Sequence, residues 1–330
     1  GEGRFADATE ASGIPSSSGR GLGVAFAPLE ESGRPSLMIS NDEMAGDLLE
    51  PAGRGATARY KNIGTPSGMA FDRDGNIHGG MGADWGDYDN DGKFDLFVAT
   101  FQNEAKSLYH NDGQELFSDV SYQTGIAPPT IPNVAFGCKL FDFDNDGWLD
   151  LIIANGHVQD NIHQIDSNTD YRQPIQLFHN EGKLPVSFEN VGASAGPDFT
   201  RPIVGRGLAV GDYDNDGKLD VLVVDSEGKP LLLHNESRLT GHWLAVRLAG
   251  AKSNRDGLGA VLTATVGGRT LTQLCHTDGS YLSASDRRVH FGLGASTQVE
   301  TLTIRWPSGR RQTLKNVRAD QVLDVREGSP

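Results

Sequence analysis

Three stretches of the chain, DYDNDGKFDLFVAT from Asp87, DFDNDGWLDLIIAN from Asp142 and DYDNDGKLDVLVVD from Asp212, set aspartates at relative positions 1, 3, 5 and 9 with glycine at 6. Carboxylates at 1, 3 and 5 converge on one point when the backbone wraps tightly, and Gly92, Gly147 and Gly217 permit the left-handed conformation that wrapping needs. With the carbonyl at position 7 and the carboxylate at 9, they would complete a shell of about six or seven oxygens, the donor set that suits calcium. The expected ligands are Asp87, Asp89, Asp91 and Asp95, then Asp142, Asp144, Asp146 and Asp150, then Asp212, Asp214, Asp216 and Asp220, and the expected cofactor is three Ca2+ ions. An EF-hand would place Glu at position 12 ahead of a helix; here Val98, Ile153 and Val223 occupy it, inside apolar strands. Aspartate, asparagine and glycine also build plain turns. Three copies of one pattern argue against that reading, as do four carboxylates that repel one another without a cation.

The elements that must hold these loops recur with them. Each loop follows a short strand that starts at a glycine five positions upstream (Gly82, Gly137 or Gly207) and precedes an apolar strand. A third strand ending in asparagine comes next (SLYHN, QLFHN, LLLHN), and in the first two copies a fourth lies around Phe117 or Phe188. Four antiparallel strands per unit make the blade of a β-propeller. A degenerate fourth copy lies upstream in GLGVAFAPLEESGRPSLMISND, where Pro28, Glu30, Ser32 and Ser36 replace the aspartates. In that register one carboxylate remains, so the loop is expected to stay empty. FDRDGN at Asp72 has half the ligand set and reads as a turn. The last copy runs from Asn235 straight into GHWLAVRL without a fourth strand, while the first residues, GRFADATEASGI, look like a fourth strand with no blade before it. A ring closed by pairing the N-terminal strand into the last blade would explain both, and so would a chain cut from a larger propeller.

From about Arg238 the strands lack the aspartate loop, and their alternation and glycine-rich turns predict a small β-sandwich or barrel. The expected fold is all-β: residues 1–237 as four blades, closed or part of a seven-bladed propeller, and residues 238–330 as a second all-β domain. In each blade the strand beginning at the glycine should be innermost, which would put His78, Met81, Asn133, Phe136, Arg206 and Arg20 around the mouth of the axial channel. Two inserts would bring His157, Tyr171 and Arg172 to the same face. Such groups could bind a polar or anionic ligand. They could equally cap strand ends, and a transition metal on His78 and His157 is a third reading.

The formal net charge is −15, from 44 acidic residues against 29 Lys and Arg. Twelve of those acids sit in the three loops, which leaves the remainder of the chain nearly neutral. Nucleic acid and anionic membrane surfaces are therefore not expected partners. No apolar run of about 18 residues predicts a membrane span, and any signal peptide falls outside these residues. Cys138 and Cys275 are expected as two buried thiols rather than a disulfide. No HExxH, CxxC or P-loop is present. Asn235-Glu236-Ser237 is a glycosylation sequon, although its asparagine also holds the repeated strand-end position.

The loops resemble FG-GAP/VCBS repeats, and the tail resembles the ASPIC/UnbV domain through SNRDGLGA, GSYLSASD, HFGLG and RWPSG, in that order. The combination is similar to that of the cartilage acidic protein-like family, whose members usually carry about seven repeats where this chain matches four. The resemblance implies an extracellular or periplasmic calcium-binding protein and no agreed reaction. The expected function is binding or scaffolding, with a protein, glycan or small polar ligand as partner. The alternative is an enzyme or ligand-processing protein of secondary metabolism that uses the channel mouth.

Overall fold

Apolar residues alternate along each segment flanking an aspartate loop, and a period of two gives a strand two different faces. In the computed structural model, which describes residues 3, 5–14, 19–30, 34–52, 59–238 and 241–328, these segments pair antiparallel into four small sheets. The first blade is β1 (Gly21–Ala27), β2 (Ser36–Asn41), β3 (Asp47–Ala52) and β4 (Arg59–Asn62). The second is β5 (Ala83–Gly86), β6 (Asp95–Val98), β7 (Ser107–Gly113) and β8 (Leu116–Asp119). The third is β9 (Ala135–Phe141), β10 (Asp150–Asn155), β11 (Gln176–Asn180) and β12 (Phe188–Asn190). The fourth has three strands, β13 (Gly205–Gly211), β14 (Asp220–Asp225) and β15 (Leu231–Leu233).

The inner strands pack in sequence, β1 on β5, β5 on β9 and β9 on β13. Their repeated glycines make the approach possible: a Cβ on Gly23 would stand 2.2 Å from the Met81 carbonyl oxygen, and one on Gly82 would stand 2.2 Å from that of Phe136. Apolar cores fill the three interfaces between successive blades, and among the described residues none joins the fourth blade to the first. The four blades form an open arc. Its end faces show the same openness at matching positions. Phe97 and Ile152, two residues after the ninth-position aspartate, are buried at 0% by the following blade, whereas their counterpart Leu222 is 44% exposed. Likewise Trp85 is buried against the preceding blade while Phe26, its counterpart in β1, is 37% exposed.

The C-terminal part is a sandwich of strands β16 (His242–Ala249), β17 (Val261–Val266), β18 (Arg269–Leu274), β19 (Val289–Gly294), β20 (Gln298–Arg305), β21 (Arg311–Arg318) and β22 (Gln321–Arg326). One sheet runs β19-β16-β22, with β16 and β22 parallel, and the other runs β18-β17-β20-β21. Leu244, Leu262, Phe291, Leu302 and Trp306 lie at the core between them. The connection from β18 to β19 reaches out and crosses all four inner strands. Asp278 Oδ2 accepts the Phe26 N–H at 2.7 Å, Ser280 N–H donates to the Ala83 carbonyl at 2.9 Å, Ser280 Oγ accepts the Cys138 N–H at 3.2 Å, and Asp286 N–H donates to Val210 O at 2.9 Å. The edges facing the axis are thereby covered.

Among the described residues no N-terminal strand pairs with β15, and Ser12 O accepts the N–H of Tyr60, in β4 of the first blade, at 2.7 Å. Cys138 and Cys275 are buried free thiols. No helix among the described residues is long and apolar enough to cross a membrane.

Candidate functional site: three aspartate loops

Each loop joins an inner strand to the next and is folded by the same hydrogen bonds in all three copies. The first-position aspartate accepts the glycine N–H through Oδ2, at 3.1 Å for Asp87 and Gly92, 2.8 Å for Asp142 and Gly147, and 3.1 Å for Asp212 and Gly217. Gly92 has φ +88° and Asn90, two residues earlier, φ +59°, so two left-handed residues curl the chain around its carboxylates. The ninth-position aspartate ties the loop to the third strand. Asp95, Asp150 and Asp220 each accept, at 2.8 Å, the N–H of the strand-end asparagine (Asn111, Asn180 and Asn235). The amide groups of those asparagines turn back onto loop carbonyls; Asn235 Nδ2 donates to Phe143 O at 2.8 Å, so the sequon asparagine has a structural task.

Wrapping converges the carboxylates. Asp87, Asp89 and Asp95 bring oxygens within 4.8 Å of one another, as do Asp142, Asp144 and Asp150, and these clusters could hold a metal ion. Burial first, then the charges of Asp95, Asp89 and Asp91, pushes Asp87 up to about 8. Burial raises Asp95 to about 6 and carries Asp142 and Asp150 well above the usual carboxylate range. Asp87 is 1% exposed, and its Oδ1 has no hydrogen-bond partner. A buried carboxylate oxygen without a donor, facing other carboxylates, fits an oxygen-seeking cation.

Three histidines escaped the sequence pattern. His110 Nδ1 stands 3.3 Å from Asp95 Oδ1, His179 Nε2 stands 3.1 Å from Asp144 Oδ2, and His234 Nδ1 stands 3.0 Å from Asp220 Oδ1. Their signal is the HN that ends each third strand, which varying insert lengths separate from the aspartates. In the degenerate first blade, Ser32 and Gly33 lie outside the described residues. Glu30 is not alone there: Glu50, in β3, and Glu115, between β7 and β8, bring their carboxylates within 4.8 Å of it. Burial, with Glu115 and Glu30 beside it, pushes Glu50 up to about 7. Counting ligands along one loop missed acids supplied by other strands.

The loops are also wired to one another and to the sandwich. Asn90 Nδ2 donates to Gly147 O and Asn145 Nδ2 to Gly217 O, both at 3.0 Å. At the third loop Arg288 of the sandwich takes over, with Nη1 donating to Asn215 Oδ1 at 2.6 Å. His290 Nε2 lies 2.7 Å from Asn145 Oδ1, and Arg269 Nη2 donates to Asp146 O at 2.8 Å.

The groups assigned to the channel mouth are engaged within the protein. Arg206 donates from Nη1 to Gly156 O at 2.8 Å and from Nη2 to His157 O at 2.9 Å, with its guanidinium 4.0 Å from the Phe136 ring centre. His157 is buried, accepts the Gln159 N–H on Nδ1 at 3.0 Å and has Nε2 3.1 Å from Gln102 Oε1. Tyr171 donates its hydroxyl to Glu227 at 2.9 Å, and Arg172 pairs with Asp225 at 3.2 Å. His78 sits between Asp72 at 3.6 Å and Glu104 at 3.4 Å. Met81 is buried, Asn133 Nδ2 donates to Gln176 Oε1 at 3.3 Å, and Arg20 pairs with Glu43 at 3.1 Å. The structure thus gathers His157, Tyr171, Arg172 and Arg206 around residues 156–174, while His78 has separate partners. Lys106 was not foreseen: it is fully buried, and its Nζ donates to the carbonyls of Asn133 at 2.6 Å, Phe101 at 2.9 Å and Glu104 at 3.1 Å.

The chain is similar to known proteins in two parts. A family model described as FG-GAP-like repeat matches residues 87–153 and 142–223, and one described as ASPIC and UnbV matches residues 250–330. Cartilage acidic protein 1 of Xenopus tropicalis is 25% identical over 92% of this chain and 45% of its own length. The Homo sapiens protein of that name is 24% identical over 89% and 49%. The chain spans about half the length of these relatives. Among solved structures, the Dos1 propeller aligns with 94% of this chain and 72% of its own at 10% identity and a TM-score of 0.35. BBS1N, solved in complex with ARL6DN, aligns with 92% and 68% at 11% identity and a TM-score of 0.36.

Proposed function

We propose that this chain, FG-GAP-like repeats followed by an ASPIC and UnbV domain, is an extracellular or periplasmic binding module whose shape is held by three calcium ions. The ions would be held by Asp87, Asp89, Asp91 and Asp95, by Asp142, Asp144, Asp146 and Asp150, and by Asp212, Asp214, Asp216 and Asp220. The observation that carries this is Asp87 Oδ1, buried without a donor beside the carboxylates of Asp89 and Asp95. A bound cation supplies the positive charge that lets them ionise together. Sites of this kind fill where calcium is roughly millimolar, as outside cells, and occupancy stabilises the fold by mass action. The partner is a protein, a glycan or a small polar ligand. The use of Arg206, His157 and Lys106 on main-chain carbonyls and internal polar groups supports binding over catalysis.

Metal analysis with calcium titration calorimetry tests the assignment. The expected stoichiometry is three per chain, falling by one in each of Asp89→Ala, Asp144→Ala and Asp214→Ala and unchanged in Glu30→Ala. Chelation should lower the melting temperature by many degrees. An unchanged melt, or an ion lost with Glu30, would overturn the scheme.

A further inference from the structure

The three loops share one fold, and what stands over each of them differs. A Cβ built on Gly92 meets no described atom within 4 Å. On Gly147, the same position of the second loop, it would stand 2.9 Å from Arg269 Nη2 and 3.0 Å from the Gly292 carbonyl oxygen, and on Gly217 it would overlap the Trp243 ring. Arg269, Gly292 and Trp243 all belong to the C-terminal sandwich.

The sandwich lies against the second loop through the period-two alternation of one strand. In β19, Phe291 and Leu293 point into the sandwich core, which turns His290, Gly292 and Gly294 toward the loop. His290 Nε2 lies 2.7 Å from Asn145 Oδ1, and the Gly294 N–H donates to Asn145 O at 2.8 Å. Between them Gly292 has no room for a side chain: a Cβ there would overlap Asp142 Oδ2 and stand 2.5 Å from Asn145 Cα. Gly241, just ahead of β16, is nearly as tight, with a Cβ 2.6 Å from Asn145 O. From β18, Arg269 Nη2 donates to Asp146 O at 2.8 Å. The sandwich thus covers Asp142, Asn145, Asp146 and Gly147, four of the six residues of DFDNDG, and rests on the carboxylate of the first ligand. Trp243 stacks on His290 with an 8° angle between the rings, so the covers of the second and third loops are joined.

We propose, granted the three-ion reading, that the sandwich is the lid of the second calcium site: Arg269 and residues 290–294 hold the loop in the curl that converges its carboxylates, and the loop uncurls only once the sandwich has lifted. The linkage is reciprocal. Arg269, His290 and Gly294 meet their partners only in the curled loop, so whatever stabilises the curl also fastens the sandwich to the blades. The second loop then joins two domains as well as binding an ion. It should release calcium more slowly than the first loop, whose Gly92 has no such cover.

Stopped-flow mixing of the calcium-loaded full chain with excess chelator tests this. Release should include a slow component of one ion per chain that Asp144→Ala removes, and a faster one that Asp89→Ala removes. Arg269→Ala leaves every aspartate in place. It should keep the stoichiometry at three and speed the slow component about 10-fold, the worth of one charge-assisted hydrogen bond, while the first loop keeps its rate. Hydrogen exchange at the Gly294 amide, in saturating calcium, reads the same linkage without altering the sandwich. Asp144→Ala should raise that exchange at least about 10-fold more than Asp89→Ala does, because it frees this contact locally. Second-loop calcium that leaves as fast as the first, a slow component indifferent to Arg269→Ala, or equal Gly294 exchange in the two aspartate variants overturns the lid and leaves the three ions in place. A stoichiometry unmoved by Asp144→Ala overturns the three-ion reading itself, and the lid with it.

Discussion

The ninth aspartate of each loop does two jobs, and only one of them can be read in the sequence. As a carboxylate near three others it is a natural ligand. It also accepts two main-chain N–H groups, in the second loop from Phe143 at 3.1 Å and from Asn180 at 2.8 Å. The partner asparagine follows by 16, 30 and 15 residues in the three copies, so no fixed spacing advertises the bond. Asp150→Ala should therefore destabilise the protein even in chelator, by about 1–3 kcal/mol for each buried N–H left unpaired. Asp144→Ala, at a less buried ligand position, should lose an ion with a smaller change in chelator, and urea unfolding with and without calcium separates the two. Glu327 tests a carboxylate far from any loop. Desolvation acts to raise it, but N–H groups of Ser253, Ala251 and Lys252 and the Ser308 hydroxyl together hold it down at about 2. Against an unfolded value of about 4.3, its contribution is fully present above that pH and is lost as pH falls toward 2. Melting curves of Glu327→Gln should lose part of that acid-limb slope and match the native chain's slope near neutral pH.

At the scale of elements, strand order, the innermost position of the glycine-led strands and the outer strands at Phe117 and Phe188 were legible, because glycine punctuation and period-two alternation are local signals. Cross-blade links were not, since they join residues far apart in sequence. Asn145 shows the cost of that blindness. Its amide donates to Gly217 O, its Oδ1 meets His290, and its carbonyl accepts the Gly294 N–H at 2.8 Å. One residue thus joins the second loop, the third loop and the sandwich, at a backbone φ of +61° that asparagine tolerates better than alanine. Asn145→Ala should cost about 2–4 kcal/mol, from unpaired groups and left-handed strain together. Asn90→Ala, which forfeits the single bond to Gly147, should cost less. Chemical denaturation of both variants in calcium gives the ordering, and equal losses would remove Asn145 from the interface.

For the whole molecule, the sequence left open whether the blades close on themselves, because closure depends on whether two end faces meet, and each blade's own pattern is the same either way. Among the described residues the four blades lie in an arc whose axial edges belong to the sandwich. Val261 and Leu274 of the sandwich share a core with Ala25, Trp85 and Phe94 of the first two blades, and residues 278–286 bond to all four inner strands. Loss of the sandwich would expose the unpaired N–H and C=O groups of four inner strands together with part of an apolar core, a combination that favours unfolding or aggregation. The prediction is that the full chain melts in one calorimetric transition, with calorimetric and van't Hoff enthalpies in agreement. A chain ending at residue 237 should be insoluble or should melt far below the parent, even in saturating calcium. Two resolved transitions in the full chain, with the lower one unaffected by Trp85→Ala, would show that the sandwich and the arc fold separately and that the shared core carries little of the stability.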